Sequence, residues 1–390
     1  MRITEVETIL LRGDDAYGGR AGGAEASNSG DFQALVRVGT DEGLEGWSDM
    51  ETLSTAAAVI IEGPGMSMTG FRALRDLLIG RDPLDSEALW DRLYVGSAYY
   101  GRRGIAMHCI SAIDNCLWSI RARAKGKALH ELLGTRRRDR VKAYASTLFR
   151  DTPEAMAEAA RGYVERGFRA VKFGWGVFGR DPGLDIELVA AARSALGPDR
   201  DLLIDPGWYS TDPNAPQRRR STAENIALCE RLAPFDIGWV EDFIHPEHFD
   251  EYAEVRRASP VPIAAGEQVS TVWDFDRLIS GACVDVVQPD LTRCGGLTVA
   301  RRVVEMADRA GLDLVPHSWL TDLLTAYSLH LIATLPRAPF VEFNVAQSPL
   351  TRGVCGRALK MNRDGTVSVP DGVGPGVEVD TAFVEAHRSR

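Results

Sequence analysis

The feature that most constrains the fold is a series of short apolar segments that recurs along the chain from about residue 141. Eight of them begin near residues 141, 169, 201, 237, 261, 284, 312 and 340, about 23 to 36 residues apart. Each interval has room for one helix and two loops, and a continuous apolar run is typical of a strand that is buried on both faces. Eight strand–helix repeats predict an α/β barrel of the (β/α)₈ type across residues 134–354.

The preceding part of the chain follows different patterns. Residues 1–12 and 32–38 predict two strands, and residues 54–133 predict helices, with Ile105, Ile110 and Ile113 near helical spacing. Together residues 1–133 predict a small α+β domain, to which we expect the Gly- and Pro-rich residues 355–390 to return. The Gly-, Ala- and Ser-rich segment 13–31 predicts a surface loop with a function, although a disordered insertion is the alternative.

Composition excludes several functional classes. The 390-residue chain has a formal net charge of −10 and no dominant basic face, which argues against a nucleic-acid partner. No apolar stretch approaches the ~20 residues of a membrane span, and the N-terminus lacks the apolar core of a signal peptide. Six cysteines without a Cys-x-x-Cys pair indicate free thiols. We therefore expect a cytoplasmic protein that binds neither nucleic acid nor membrane.

Three carboxylates end successive predicted strands of the barrel. Asp205, Glu241 and Glu267 close the third, fourth and fifth strands, and functional groups of such barrels lie at these carboxyl ends. Their charges repel one another unless a cation lies between them. An all-oxygen donor set favours Mg²⁺, whereas a softer metal would recruit Cys or His. The alternative is that each acid separately caps a helix or forms a salt bridge.

The next two strands end with Asp290 and His317. A carboxylate beside an imidazole fixes its tautomer and raises its pKa, which gives a usable base near neutral pH. A histidine with a purely structural hydrogen bond is the alternative, but the nearby acids favour a catalytic role.

Further polar residues lie on the same predicted rim. Lys172 ends the second strand, opposite His317, and could neutralise a substrate carboxylate, act as a base, or only pair with a neighbouring acid. Glu342 ends the eighth strand and could donate a hydrogen bond to a developing oxyanion if it is protonated. His245 and His248 follow the fourth strand, where a surface-loop position is the simpler interpretation.

Several of these runs resemble those of one family. The segments VVQPDLTRCGGLTVARRV, WVEDF, IAAGE and LVPHSW resemble the strand motifs of the enolase superfamily, mandelate racemase subgroup, and AIDNCLWSIRARAKGKALHELLG resembles its capping-domain helix. The resemblance covers essentially the whole chain. It implies an α+β capping domain, a (β/α)₇β modified TIM barrel and an even-numbered homo-oligomer. It also implies Mg²⁺ on Asp205, Glu241 and Glu267, and a His317–Asp290 dyad that moves a proton next to a carboxylate.

Two departures from the family pattern bear on the reaction. The second strand has Lys172-Phe173-Gly174 where Lys-x-Lys is frequent, and the third has Asp205-Pro206-Gly207 where Asp-x-Asn is frequent. Because a racemase places one base on each face of its substrate, the missing lysine favours a dehydratase with a single base.

The segments AYYGRRGIAMHCISAIDNCLW and KFGWGVFG resemble sugar-acid dehydratases of the rhamnonate type. The expected reaction is dehydration of an aldonate-like acid sugar to a 2-keto-3-deoxy acid, with loop 13–31 selecting the sugar. A racemase or epimerase that uses Lys172 as its second base is the alternative enzyme. A barrel that binds a metal or ligand without turnover is the alternative of another class.

Overall fold

A computed structural model of the chain describes residues 1–13, 31–66, 70–208, 219–346 and 348–389. The N-terminal unit, here called the cap (residues 1–133), opens with an antiparallel sheet in the order β1-β2-β3. Its strands are β1 (Ile3–Gly13), β2 (Asp31–Thr40) and β3 (Glu45–Met50). The helices described after them are α1 (Ser54–Glu62), α2 (Leu74–Leu78), α3 (Ser86–Gly96), α4 (Ile105–Ala124) and α5 (His130–Leu133). The predicted α+β cap is confirmed.

Eight parallel strands form the second unit within the described residues. They are β4 (Arg140–Leu148), β5 (Ala170–Gly174), β6 (Asp201–Asp205), β7 (Ile237–Glu241), β8 (Ile263–Ala265), β9 (Val286–Val287), β10 (Asp313–Leu314) and β11 (Val341–Asn344). The helices between them are α6 (Pro153–Glu165), α7 (Pro182–Leu196), α8 (Thr222–Leu232), α9 (Phe249–Ala258), α10 (Thr271–Ser280), α11 (Gly296–Ala310) and α12 (Asp322–Ile332). This element order is the (β/α)₇β pattern that the resemblance implied.

The parallel sheet curls, with β10 and β11 at the two ends of its ladder. Strands β9 and β10 are shorter than predicted, because Pro289 and Pro316 lack the N–H that would continue the ladder. Beyond these prolines, Asp290 and His317 form an isolated parallel bridge. The Leu314 amide of β10 donates to the carbonyl of Arg337, in the segment that precedes β11, at 3.2 Å.

One apolar side chain from each strand region fills the interior of the curled sheet. Three of these aromatic rings pack edge to face, with centroids 5.6 to 6.0 Å apart. The cluster is separate from the larger core between strands and helices. We call it the apolar layer, and its members are Tyr144, Ala170, Leu203, Trp239, Ala264, Val286, Val315 and Phe340.

The cap docks on the barrel through buried polar contacts of α4. Asp114 accepts hydrogen bonds from the Thr298 amide at 2.8 Å and the Thr298 hydroxyl at 2.7 Å, at the start of α11. Asn115 donates to the Leu291 carbonyl at 2.8 Å, beside Asp290. A carboxyl group at the N-terminus of a helix accepts from amides that have no partner within the helix. The cap therefore holds the segment that follows Asp290.

The C-terminal residues contact both units. They include α13 (Pro349–Gly353), β12 (Thr366–Ser368) and α14 (Thr381–His387). Strand β12 pairs antiparallel with β4 of the barrel, whereas Gly374 exchanges backbone hydrogen bonds with Lys127 and Leu129 of the cap. The division into a domain of residues 1–133 with 355–390 and a domain of residues 134–354 stays a prediction. Among the described residues, no helix combines the length and apolar character that crossing a membrane requires.

Candidate active site

The candidate site is built by a second layer of side chains above the apolar layer. Because side chains alternate along a strand, a residue two positions further on points to the same face, nearer the carboxyl end. Seven of the eight positions reached in this way hold buried polar side chains, which we call the polar layer. They are Ser146, Lys172, Asp205, Glu241, Gln288, His317 and Glu342; the eighth position is Gly266.

Lys172 lies among three of these acids. Its ammonium nitrogen is 2.5 Å from Glu241 Oε1, 3.1 Å from Glu342 Oε1 and 3.6 Å from Asp205 Oδ2. Burial lowers the pKa of Lys172, but the charges of Glu241 and Glu342 outweigh burial and raise it well above its usual value. Lys172 therefore carries a positive charge that can attract an anion, and this arrangement does not favour it as a base.

The acids beside Lys172 outnumber the cations available to them. Burial, and then the charge of Glu241, raises the pKa of Asp205 well above its usual range. Burial and Glu267 do the same for Asp242, whose Oδ2 has no hydrogen-bond partner among the described residues. Crowded buried carboxylates with an unpaired oxygen fit a hard divalent cation. The residues present therefore fit Mg²⁺, and Asp205, Glu241 and Glu267 as its ligands stay a prediction.

The structure brings His317 and Asp290 together. His317 Nδ1 is 2.6 Å from Asp290 Oδ2, and His317 Nε2 is 3.0 Å from Glu267 Oε2. The second oxygen of Asp290 accepts from the Thr292 amide at 2.5 Å and the Thr292 hydroxyl at 2.7 Å. Burial lowers the pKa of His317, but Glu267 and Glu342 outweigh it and raise the pKa well above the usual value. Asp290 holds the imidazole in one orientation, and the acids around it favour its protonated form.

Glu342 differs in one respect from the sequence prediction. Its carboxylate accepts hydrogen bonds from the Ser146 hydroxyl at 2.6 Å and from the Ser318 amide at 2.6 Å. Burial raises the pKa of Glu342, but Lys172 and His317 outweigh it, so that the pKa lies below its usual value. A protonated Glu342 that donates to an oxyanion is therefore not favoured, because the lysine beside it stabilises the ionised form.

Two charged residues at the site were not predicted. Arg293 Nη2 is 2.8 Å from Oε1 of Glu51, which directly follows β3 of the cap, and Arg293 Nη1 is 3.3 Å from Glu267 Oε1. Arg293 stands three residues after Asp290, so its position in the chain was a usable signal. Nothing in the local sequence marks Glu51, because its place depends on how the cap docks.

A second cluster of side chains could also hold a metal ion. One donor atom each of Glu51, Asp290 and His317 lie within 4.8 Å of one another, which is compatible with a metal ion. However, Arg293 already neutralises Glu51, and both ring nitrogens of His317 face carboxylates. The set Asp205, Glu241 and Glu267 stays our prediction: Asp205 and Glu241 share Lys172, whereas Glu267 contacts Arg293 and His317.

The two histidines after β7 line the rim of the barrel. The His245 ring lies edge-on to Trp208 with centroids 4.8 Å apart, and His248 Nδ1 is 3.2 Å from Glu251 Oε2. These contacts agree with the surface-loop interpretation, and none of the contacts described for either histidine reaches the polar layer. The predicted role of loop 13–31 falls on residues 14–30, which lie outside the described residues.

Comparison with known proteins identifies the family. The family model described as "Mandelate racemase / muconate lactonizing enzyme, N-terminal domain" matches residues 24–134. The model described as "Enolase C-terminal domain-like" matches residues 155–383. The chain belongs to the mandelate racemase/muconate lactonizing enzyme family of the enolase superfamily. Members of this superfamily generally bind Mg²⁺, which agrees with the acid-rich polar layer.

Individual relatives are enzymes of acid sugars. The D-galactarolactone cycloisomerase of Agrobacterium fabrum is 33% identical over 398 residues, which cover 97% of each chain. A D-galactonate dehydratase family member of Streptomyces bingchenggensis is 29% identical, over 90% of this chain and 88% of the relative. The crystal structure of the 3,6-anhydro-D-galactonate cycloisomerase from Zobellia galactanivorans superposes with a TM-score of 0.86 at 28% identity and covers both chains fully. The relatives therefore include both a lyase and isomerases.

Proposed function

We propose that this protein removes the proton α to the carboxylate of an acid sugar and then eliminates the oxygen substituent at the β carbon. The leading reaction is loss of water to give a 2-keto-3-deoxy acid. One observation carries the proposal: Asp290 orients His317 from 2.6 Å, whereas Lys172, the candidate base on the opposite side, lies within 3.6 Å of three carboxylates. A base on one face suits elimination, and racemisation requires a base on each face.

Each residue has a stated part in this reaction. Lys172 attracts the substrate carboxylate and offsets its charge. Neutral His317 takes the proton from C2 at Nε2, and Asp290 stabilises the resulting imidazolium. The same imidazolium then returns that proton to the hydroxyl at C3 as the C3–O bond breaks, so water leaves from the face of proton removal. The enol that remains tautomerises to the 2-keto acid.

Asp205, Glu241 and Glu267 would hold Mg²⁺, which would supply Lewis-acid stabilisation of the charge that develops on the substrate carboxylate. Glu342 holds Lys172 at 3.1 Å and is itself fixed by Ser146 and Ser318, so it keeps the ammonium in place.

A second candidate is cycloisomerisation, which the names of two relatives favour. In a cyclic acid sugar whose ring oxygen is bonded to the β carbon, the same elimination opens the ring. The leaving oxygen then stays attached, so the product is an isomer of the substrate. The single base and the lysine serve both reactions equally, and the choice depends on which substrate the site admits.

The test is a substrate screen in D₂O with Mg²⁺, using mono- and diacid sugars together with their lactones and anhydro forms. Formation of a 2-keto acid with loss of water supports dehydration, and formation of a 2-keto acid that differs from the substrate only by the deuterium taken up at C3 supports cycloisomerisation. Epimerised substrate that carries deuterium at C2 without any keto product would show that the proposal is wrong and favour the racemase alternative. No turnover and no Mg²⁺ binding would favour the non-catalytic barrel.

A paired substitution tests the assigned base. We expect His317→Asn to lower kcat by about 10² to 10⁴, the range for loss of a general base. His387→Asn is the matched control, since the described contacts of His387, with the Phe383 carbonyl and the Phe383 ring, lie within its own helix α14. Equal activity of both variants would contradict the role of His317.

A further inference from the structure

Arg293 is a buried cation that the proposed reaction does not use. Its side chain is 11% exposed, and its backbone is fixed on both sides. The Arg293 amide donates to the Asp290 carbonyl at 3.0 Å, and its carbonyl accepts from the Ser270 hydroxyl at 3.1 Å. The guanidinium is therefore presented to its partners by a rigid segment.

The two partners of this guanidinium belong to different units. Nη2 contacts Glu51 of the cap at 2.8 Å, and Nη1 contacts Glu267 after β8 at 3.3 Å. Arginine suits this task, because its planar fork presents two nitrogens to two carboxylates, whereas lysine offers a single point charge.

Glu267 lies between Arg293 and His317 and contacts both. Its Oε1 faces Arg293, and its Oε2 faces His317 Nε2 at 3.0 Å. Because a carboxylate is planar, a rotation that lengthens one of these contacts also moves the other oxygen. The five side chains form a sequence of alternating charge from the cap to the dyad, in the order Glu51, Arg293, Glu267, His317 and Asp290.

We propose that Arg293 is a positioning residue that couples docking of the cap to the orientation of Glu267, and through Glu267 to His317. The inference rests on the proposed function, in which Glu267 is a metal ligand and His317 is the base. The cap thus contributes to the reacting geometry through an ion pair, in addition to covering the site.

The chain offers a matched control for a bridge between cap and barrel. Arg301 on α11 contacts Glu87 of the cap at 3.1 Å, so it links the same two units. Both side chains of that pair are more exposed, at 35% and 53%, and the pair does not contact the polar layer. Arg301→Met therefore removes an ion pair between cap and barrel and leaves the contacts from Glu51 to Asp290 intact.

The first measurement is the metal-free crystal structure of the Arg293→Met variant. We expect the Glu267 carboxylate to turn and Oε2 to move out of hydrogen-bond distance of His317 Nε2, whereas Arg301→Met leaves this contact in place. An unchanged Glu267–His317 contact in Arg293→Met would overturn the inference. This readout does not depend on metal or activity, so it decides the inference even if the protein takes no Mg²⁺ and the proposed metal site fails.

The second measurement is a double-mutant cycle read by Mg²⁺ calorimetry and steady-state kinetics. We expect Arg293→Met to weaken Mg²⁺ binding by about 10- to 100-fold, as is typical for residues that orient a metal ligand, and to lower kcat more than it changes KM. If Arg293 couples docking of the cap to Glu267, Glu51→Gln weakens Mg²⁺ binding in the wild type and has no further effect in Arg293→Met. Additive effects of Glu51→Gln and Arg293→Met would overturn the coupling, and a full rescue by Arg293→Lys would contradict the need for a bridging fork.

Discussion

Asp114 makes the docking of the cap sensitive to pH. It is buried on α4, and desolvation raises its pKa from 3.8 to about 7, despite two hydrogen bonds from Thr298. Below pH 4 the carboxyl group is protonated in both the folded and the unfolded chain. As the pH rises from 4 to 7, the unfolded chain ionises Asp114 and the folded chain does not. This stabilises the unfolded state, so the contribution of Asp114 to stability is lost across that window.

The magnitude follows from the two pKa values. Their separation corresponds to about 4 kcal/mol in total, of which about 2.5 kcal/mol is lost between pH 5 and pH 8. Asparagine has the same shape as Asp114 and no charge at any of these pH values. We therefore expect the Asp114→Asn variant to have a flatter dependence of unfolding free energy on pH. The unfolding free energy of the variant, relative to that of the wild type, should increase steadily from pH 5 to pH 8.

The assay is urea unfolding at half-unit steps from pH 5 to pH 8, monitored by tryptophan fluorescence. Asp91→Asn serves as the control, because Asp91 is an exposed residue of α3 outside the contact between α4 and α11. If the wild type and Asp114→Asn gave parallel curves across this range, Asp114 would be ionised in the folded state and the reasoning would be wrong.

Three further changes have expected outcomes. Lys172→Met leaves buried acids without their cation, so in EDTA we expect a loss of about 3–5 kcal/mol in urea unfolding; an unchanged midpoint would contradict the charge balance at the site. Burial lowers the pKa of His330 to about 4. The unfolding free energy therefore falls by about 3 kcal/mol as the pH drops from 6.5 to 4, because the unfolded chain takes up the proton first. His330→Gln should reduce this loss of stability at acid pH. Gly296 has a φ of +74°, and an added Cβ would lie 2.5 Å from Asp114 Oδ2. Gly296→Ala should therefore lower the melting temperature, whereas Gly311→Ala, at a φ of +71° in open space, should lower it less.

The polar layer could be predicted from the sequence because it follows from the geometry of parallel strands. The acids Asp205 and Glu241 end their strands as predicted, and Lys172 pairs with Leu203 of β6, two residues before Asp205. Parallel strands place their carboxyl ends at one edge, so residues far apart in the chain were expected to meet there. Their convergence on one ammonium shows that the expectation holds for these three residues.

The protonation of Glu342 could not be predicted in the same way. The pattern places a carboxyl group at the rim, but its ionisation depends on the distance to its neighbours. Lys172 lies 3.1 Å from one of its oxygens, and the Ser318 amide donates to the other at 2.6 Å. Contacts of this kind arise only when the sheet curls and brings β5, β11 and the segment that follows β10 close together.

The cap shows why a catalytic site can depend on residues that no local motif marks. Trp90 of α3 donates to the Gly295 carbonyl at 2.8 Å, and Ser111 of α4 accepts from the Gly295 amide at 2.8 Å. These bonds hold the loop that carries Asp290 and Arg293. The cap therefore fixes the backbone of this loop through Gly295, and Glu51 of the cap contacts the Arg293 side chain. Both effects depend on one rigid docking of α3, α4 and β3 on the barrel. A substitution in this contact that leaves every ligand and base intact is therefore expected to reduce turnover, because the error it introduces reaches His317 through backbone positions.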